Sequence, residues 1–281
     1  MNTVKTVLLL GVLSGLLLFL GEAFGGRNGL YIGLVLAVVM NFFSYFLSDK
    51  IALATYSAQP VTPEQNPGVY ARVAPIVAGL AQRMGIAMPK LWLIPDNSPN
   101  AFATGRNPQH ASVAFTAGIL EAMSDAEIEG VVAHELGHVL HRDILISSVA
   151  ATIASAITFL ARMGFFFGGS SRDDDNEGGA IGGFLMLILA PFAALLIQMA
   201  ISRSREYDAD AASAKYTGKP YELISALQKL DDYSKRMPLE ATPSTAHLFI
   251  IKPFTGESLM RLFSTHPSTA DRIARLQAIR S

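Results

Sequence analysis

Four long uncharged stretches constrain this chain more than any other feature. Thr6–Gly21 carries no charge, Asn28–Ser48 none for 21 residues, Ile144–Ala161 none for 18, and Gly178–Ser202 none for 25. A helix crossing a bilayer needs roughly 17–25 predominantly apolar residues. The second and fourth runs meet that length outright. The first reaches it if Lys5 snorkels and Glu22 lies at the interface; the third ends near Arg162, which can snorkel in the same way. These runs account for a chain of 281 residues that is 51% hydrophobic and only 16% charged, against about 25% charged in soluble domains. Two other readings are weaker. The first run resembles a signal peptide, but Ala23–Gly25 is a poor cleavage site and a second apolar run follows after a short loop. The third could be a buried core helix, but an acidic connector separates it from another long run.

Lys and Arg collect on the cytoplasmic side of membrane proteins. The loop between the first two runs has only Arg27, and the loop between the last two sets Arg172 against Asp173, Asp174, Asp175 and Glu177. Lys5, Lys50, Arg142, Arg203 and Arg205 lie close to the other ends. The chain therefore divides into a transmembrane hairpin (1–48), a cytoplasmic segment (49–143), a second hairpin (144–202) and a second cytoplasmic segment (203–281). The expected fold is α+β and mainly helical, with four transmembrane helices and a small β-sheet in the cytoplasmic part.

Within that part, Val69, Val73, Ile76, Val77, Leu80 and Met84 have helical spacing, which predicts a helix over Asn66–Gly85. Lys90–Ile94 reads as a strand. Ala101–Thr104 and Ser112–Phe115 read as a hairpin across the turn that begins at Gly105. Ser124 and Glu127 form a capping box that starts a helix through Leu140. Lys219–Lys235 and Thr269–Ile279 read as helices, and Lys235–Glu257, with three prolines, as an irregular loop.

The absence of cysteine excludes disulfide scaffolds, thiolate metal sites and a cysteine nucleophile. A net charge of −1 gives no general drive toward nucleic acid. The chemistry must come from His, Asp and Glu. The capped helix carries His134-Glu135-Leu136-Gly137-His138. Histidines at i and i+4 share a helix face and can converge on one zinc ion, while Glu135 can serve the attacking water as general base. Two histidines on a polar helix face near a membrane are the bland alternative. A catalytic zinc site takes three protein ligands. His141 fails as the distal histidine of the longer pattern, because it occupies the glycine position and residue 144 is Ile. Glu206 and Asp210, at i and i+4 just after the fourth run, fit better: Glu206 as carboxylate ligand, Asp210 as acceptor for a ligand histidine. In isolation that pair reads rather as a solvated helix end, since i, i+4 charges are common; it is the complete His-Glu-x-x-His motif upstream that favours the ligand reading.

Several other residues have two readings each. His266, in Thr265-His266-Pro267, is a candidate oxyanion donor or part of a helix-entry turn. Tyr207, Arg203 and Arg205 are weaker candidates, and the arginines could be interfacial anchors. Asn100, Ala101, Phe102, Ala103 and Thr104 form a candidate substrate strand, to which a peptide adds at the sheet edge, or else one arm of an ordinary hairpin. His110 and His247 read as surface residues.

An early membrane hairpin, Ser-Pro-Asn-Ala-Phe-Ala-Thr-Gly (98–105), His-Glu-Leu-Gly-His, a second hairpin, Ser-Arg-Glu-Tyr-Asp-Ala-Asp (204–210) and Ser-Thr-His-Pro (264–267) occur here in order. As a set they resemble the HtpX family of bacterial and archaeal integral-membrane zinc endopeptidases, related to the CAAX prenyl proteases, over essentially the whole chain. The resemblance implies His134, His138 and Glu206 as ligands of one Zn²⁺ per chain and Glu135 as the catalytic glutamate. It further implies a multi-pass protein of the bacterial inner membrane with its site facing the cytoplasm, acting on polypeptides, membrane proteins among them, in quality control under stress. His141 receives no role. A zinc-containing scaffold or chaperone, a prenyl-peptide protease and a four-span transporter are the alternatives; the last lacks paired intramembrane charges.

Overall fold

The computed structural model describes residues 2–146, 149, 203–236 and 267–279. Most of the third apolar run, all of the fourth, the acidic connector, the proline-bearing loop beyond Arg236, and His247 and His266 lie outside these residues.

The first two apolar runs form one helical segment, α1 (Asn2–Phe46), broken at Gly26. There φ is 53° and ψ −140°, a conformation available to glycine because it lacks Cβ. The arms on either side lie together: Asn41 Nδ2 donates to Ser14 Oγ at 2.8 Å across 27 residues of sequence. Among the described residues Gly26–Phe46 is the one helix long and apolar enough to cross a membrane, and Thr6–Glu22 is a shorter apolar helix. Tyr31, Ile32, Val35, Val38 and Phe42 point outward, an apolar exterior that suits lipid.

Helix α2 (Ser48–Thr55) continues from this hairpin and sets Leu53 on one face of the sheet, against Ile94, Phe102 and Ala114. Strand β1 (Gln59–Pro60) follows. Helix α3 (Pro67–Met84) buries Val73, Val77, Leu80 and Met84. It begins after Asn66 and ends at Gly85, both in the left-handed region, as a proline start and glycine stop predict. Strands β2 (Lys90–Ile94), β3 (Ala101–Gly105) and β4 (Ala111–Thr116) complete a sheet of order β1-β2-β4-β3. β2 and β4 are parallel; β3 and β4 form the expected antiparallel hairpin, with Ala101 opposite Phe115 and Thr104 opposite Ser112. β3 is therefore an edge strand.

After the short α4 (Ala117–Ala122) comes α5 (Asp125–Leu140), which carries both histidines of the motif. Its capping box is formed on both sides: the Glu127 N–H donates to Ser124 Oγ and the Ser124 N–H to Glu127 Oε2. The chain re-enters helix at residues 143–146, where the third apolar run begins. Beyond the undescribed segment, α6 (Arg203–Thr217) and α7 (Pro220–Arg236) pack against α5, and α8 (Thr269–Ala278) packs on α6 and α7. The core lies between the sheet and these helices, with Val113 and Phe115 from the sheet, Val132 and Leu136 from α5, and Leu223 and Leu227 from α7.

Candidate metal centre

α5 and α6 cross at the site, and small residues set their distance. A Cβ on Gly137 would lie 3.1 Å from both Ala209 Cα and Ala212 Cβ, so only a glycine lets α6 lie this close without a shift. One face further along, Ser213 Oγ donates to the Gly130 carbonyl at 2.8 Å. This contact brings Glu206, in the first turn of α6, opposite the histidines on α5.

His134 Nε2 lies 3.7 Å from Glu206 Oε2, and His138 Nε2 lies 3.6 Å from Glu206 Oε1. The two imidazoles stand nearly perpendicular, with centroids 4.8 Å apart. One ligand atom from each of His134, His138 and Glu206 falls within 4.8 Å of the others. Two ligand atoms about 2.0–2.1 Å from a tetrahedral zinc lie about 3.3 Å apart. The two His–Glu206 separations are within a few tenths of an ångström of that, and with all three ligand atoms within 4.8 Å of one another a small inward adjustment of the side chains would seat a divalent cation.

Charge agrees with geometry. Glu135, Asp143, Glu206 and Asp210 are all buried and bring four negative charges. Arg205 and Arg272, also buried, bring two positive ones. Counted formally, with every carboxylate ionised and both imidazoles neutral as metal ligands must be, the cluster carries two negative charges, which one divalent cation would balance. Burial by itself would lower the proton affinity of His138, but the hydrogen bond to Asp143 and the charges of Glu206 and Glu135 outweigh it and raise the pKa to about 9. The surroundings thus attract positive charge strongly.

Each imidazole is fixed through its other nitrogen. His134 Nδ1 lies 2.9 Å from Asp210 Oδ1 and His138 Nδ1 3.2 Å from Asp143 Oδ2. A carboxylate on Nδ1–H leaves the Nε2 lone pair for a metal. Asp210 titrates at about 2: burial pushes it up, but Arg272 and His134 more than offset that. Glu135 projects toward the sheet edge, where the Ala103 N–H donates to its Oε2 at 2.9 Å. Burial raises its pKa, against the lowering effect of His134 and His138. A raised pKa makes a carboxylate a stronger base.

The structure thus brings His134, Glu135, His138, Glu206, Asp210 and Ala103 to one place. Ala101, Phe102 and Thr104 lie on the adjoining edge strand, and Asn100 immediately precedes it, its N–H donating to Thr116 Oγ1. His266 lies outside the described residues. Arg205 is buried with Nε 3.9 Å from Asp143 Oδ1, which places it away from a membrane-anchor role. Tyr207 lies under the Arg275 guanidinium at 3.7 Å, and Arg203 is exposed. His141 caps the end of α5 and is exposed.

Two residues of this cluster have no place in the sequence reading: Asp143 and Arg272. Asp143 returns to His138 because the chain reverses at Arg142, whose φ is 60°. An acidic residue at the mouth of an apolar run was its one signal. Arg272 shares the buried face of α8 with Leu276, four residues on. A cation on the apolar side of an amphipathic helix is the pattern that would have marked it.

Residues 68–280 match peptidase family M48. "Protease HtpX homolog" of Desulforapulum autotrophicum is 52% identical over 280 residues, covering 98% of this chain and 89% of that protein. The homolog of Sulfurihydrogenibium sp. is 50% identical, with 99% and 96% covered. "Protease HtpX" of Legionella pneumophila is 49% identical, with 99% of each covered. Among solved structures, S. mikatae Ste24p superposes with a TM-score of 0.54 at 19% identity. That alignment takes in 98% of this chain and 65% of the longer one, a likeness of fold.

Proposed function

The chain belongs to peptidase family M48, in its HtpX group, and is a metallopeptidase; we propose that it is a membrane-anchored zinc endopeptidase with His134, His138 and Glu206 as ligands and Glu135 as general base. The observation that carries this reading is the convergence of ligand atoms from His134, His138 and Glu206 within 4.8 Å of one another, with the buried Glu135 beside them. Three protein ligands leave a coordination position open, as catalytic zinc sites do, whereas a structural zinc is closed by four.

When bound, zinc supplies a Lewis acid that polarises the scissile carbonyl and lowers the pKa of the attacking water. Glu135 accepts that water's proton and later delivers it to the leaving amine. The Ala103 N–H aims the carboxylate, and Asp210 and Asp143 hold the imidazoles in the tautomer that ligates.

Substrate adds as a strand to β3. Asn100 turns toward β4, since its carbonyl accepts from the Thr116 N–H. Antiparallel pairing alternates along a strand, so Phe102 and Thr104 also face β4, while Ala101 and Gly105 direct their backbone groups to the outer edge and Ala103 its carbonyl, its N–H being held by Glu135. Backbone bonding of this kind gives affinity with little sequence selectivity, which suits removal of damaged polypeptides, membrane proteins among them.

We further propose that the chain crosses the bacterial inner membrane four times in two hairpins, with its site on the cytoplasmic side and His266 as oxyanion donor. The Lys/Arg distribution and the apolar hairpin of α1 support the topology.

The test uses full-length protein purified in detergent. Proteolysis should vanish on chelation and return with zinc. Glu135→Gln should keep zinc and lose hydrolysis, and Glu206→Gln should lose zinc. Full zinc content in Glu206→Gln would remove Glu206 from the ligand set. For topology, a cysteine at Ser171 should label from the periplasmic side, and labelling from the cytoplasm alone would refute the orientation.

A further inference from the structure

Arg272 has the largest side chain among the fully buried described residues. It belongs to α8, the last helix, 138 residues from His134 in sequence. Its Nε donates to Asp210 Oδ2 at 2.9 Å and its Nη2 to Asp210 Oδ1 at 2.6 Å. The same Oδ1 is 2.9 Å from His134 Nδ1. Nη2 also lies 3.3 Å from His134 Nδ1, and Nη1 lies 3.9 Å from Glu206 Oε2. One guanidinium therefore reaches a proposed metal ligand, a second one's carboxylate partner and that second ligand's own ring.

We infer that Arg272 is a positioning residue of the metal centre and that, through it, the C-terminal helix is an integral part of the site. The reason is geometric. Asp210 can rotate about its last side-chain bond, and either oxygen could meet His134. The two-pronged Arg272 contact fixes the carboxylate plane, because a planar fork matches a carboxylate in one orientation. Asp210 Oδ1 is then held where it meets Nδ1, and the imidazole plane follows, with Nε2 toward Glu206. At His138 the layout recurs more loosely, with Asp143 on Nδ1 and Arg205 Nε 3.9 Å from Asp143. A simple ion pair docking α8 would need the charge alone. A positioning role needs the fork, which lysine cannot supply.

The inference rests on reading the site as a metal centre, and the experiment separates the two. Wild type, Arg272→Lys, Arg272→Gln and Arg275→Gln are purified as full chains in detergent, stripped and titrated with Co²⁺. Affinity comes from chelator competition and ligand geometry from the visible absorption bands. Arg275, on the same helix, stacks on Tyr207 and controls for general loosening of α8. Loss of an outer partner of a ligand histidine weakens metal binding about 10–100-fold. That loss, with altered bands, is expected in Arg272→Lys and Arg272→Gln, and wild-type affinity and bands in Arg275→Gln. Wild-type affinity and bands in Arg272→Lys would overturn the assignment. Failure of the wild type itself to take up Co²⁺ would instead overturn the metal centre. Hydrogen exchange of the wild type needs no variant: metal should slow exchange across Thr269–Ala278, and exchange there indifferent to metal also overturns the inference.

Discussion

The Glu135 carboxylate accepts a 2.9 Å hydrogen bond from the backbone N–H of Ala103. The helix that bears the two histidines and the outer edge of the sheet therefore meet at the candidate base. One strand residue both aims that base and borders the place where a peptide would lie.

Replacing Ala103 by proline removes this donor without touching the bonds to β4, because the Ala103 N–H points outward and proline is tolerated on an edge. The hydrogen bond favours the ionised carboxylate, so its loss should raise the Glu135 pKa. We expect zinc content to hold, kcat/KM to fall at least about 10-fold, and the acid limb of the pH–rate profile to move to higher pH. Ala103→Gly, which keeps the N–H, should keep the wild-type profile. An unmoved acid limb in Ala103→Pro would show that the contact does not tune the base.

Asp143 lies against His138 Nδ1 at 3.2 Å, whereas the neighbouring His141 is exposed. Asp143→Ala should therefore weaken zinc about 10–100-fold, measured by chelator competition, with His141→Ala unchanged. The reverse pattern would transfer the supporting role to His141.

The α5–α6 crossing depends on Gly137, where even a methyl would press on Ala209 and Ala212. Gly137→Val should cost about 1–3 kcal/mol through overpacking and, by pushing α6 away, carry Glu206 out of reach of the histidines. Melting temperature and zinc stoichiometry should fall together. Preserved stoichiometry would mean that α6 can retreat without moving Glu206.

Glu127 joins the α5 capping box to α7: its Oε1 accepts from Ser225 at 2.6 Å and its Oε2 from Lys229 at 2.7 Å. Burial acts to raise its pKa, but Lys229, Ser225 and Ser124 outweigh it and bring it to about 2. The folded pKa lies below the unfolded one, so this stabilisation is complete above about pH 4.5 and is lost as pH falls toward 2. Glu127→Gln should destabilise by about 1–3 kcal/mol at pH 7, with the gap to wild type closing in acid. A gap that stays constant between pH 7 and pH 3 would contradict this account.

Much of the protein was legible along the chain because the deciding forces act over a few residues. The capping box at Ser124 and Glu127, the glycine stop at Gly85 and the β3–β4 hairpin all appear where local pattern predicts. The i, i+4 spacing of His134 and His138 fixed their common direction before any tertiary contact existed. Gly137 was legible only as a letter in the motif; its purpose shows once Ala209 and Ala212 lie against it.

The sequence by itself determined the apolar hairpin, the helix that presents two histidines and a glutamate, and the class of metal chemistry, because hydrophobic length, helical period and ligand type are local properties. Only the tertiary structure decided what surrounds that chemistry. Asp143 reaches His138 through a left-handed reversal at Arg142, and Arg272 reaches Asp210 across 62 residues. A buried carboxylate needs a partner, but nothing in its own neighbourhood says which distant cation supplies it. That choice is made when helices pack, so it could be read only from the folded chain.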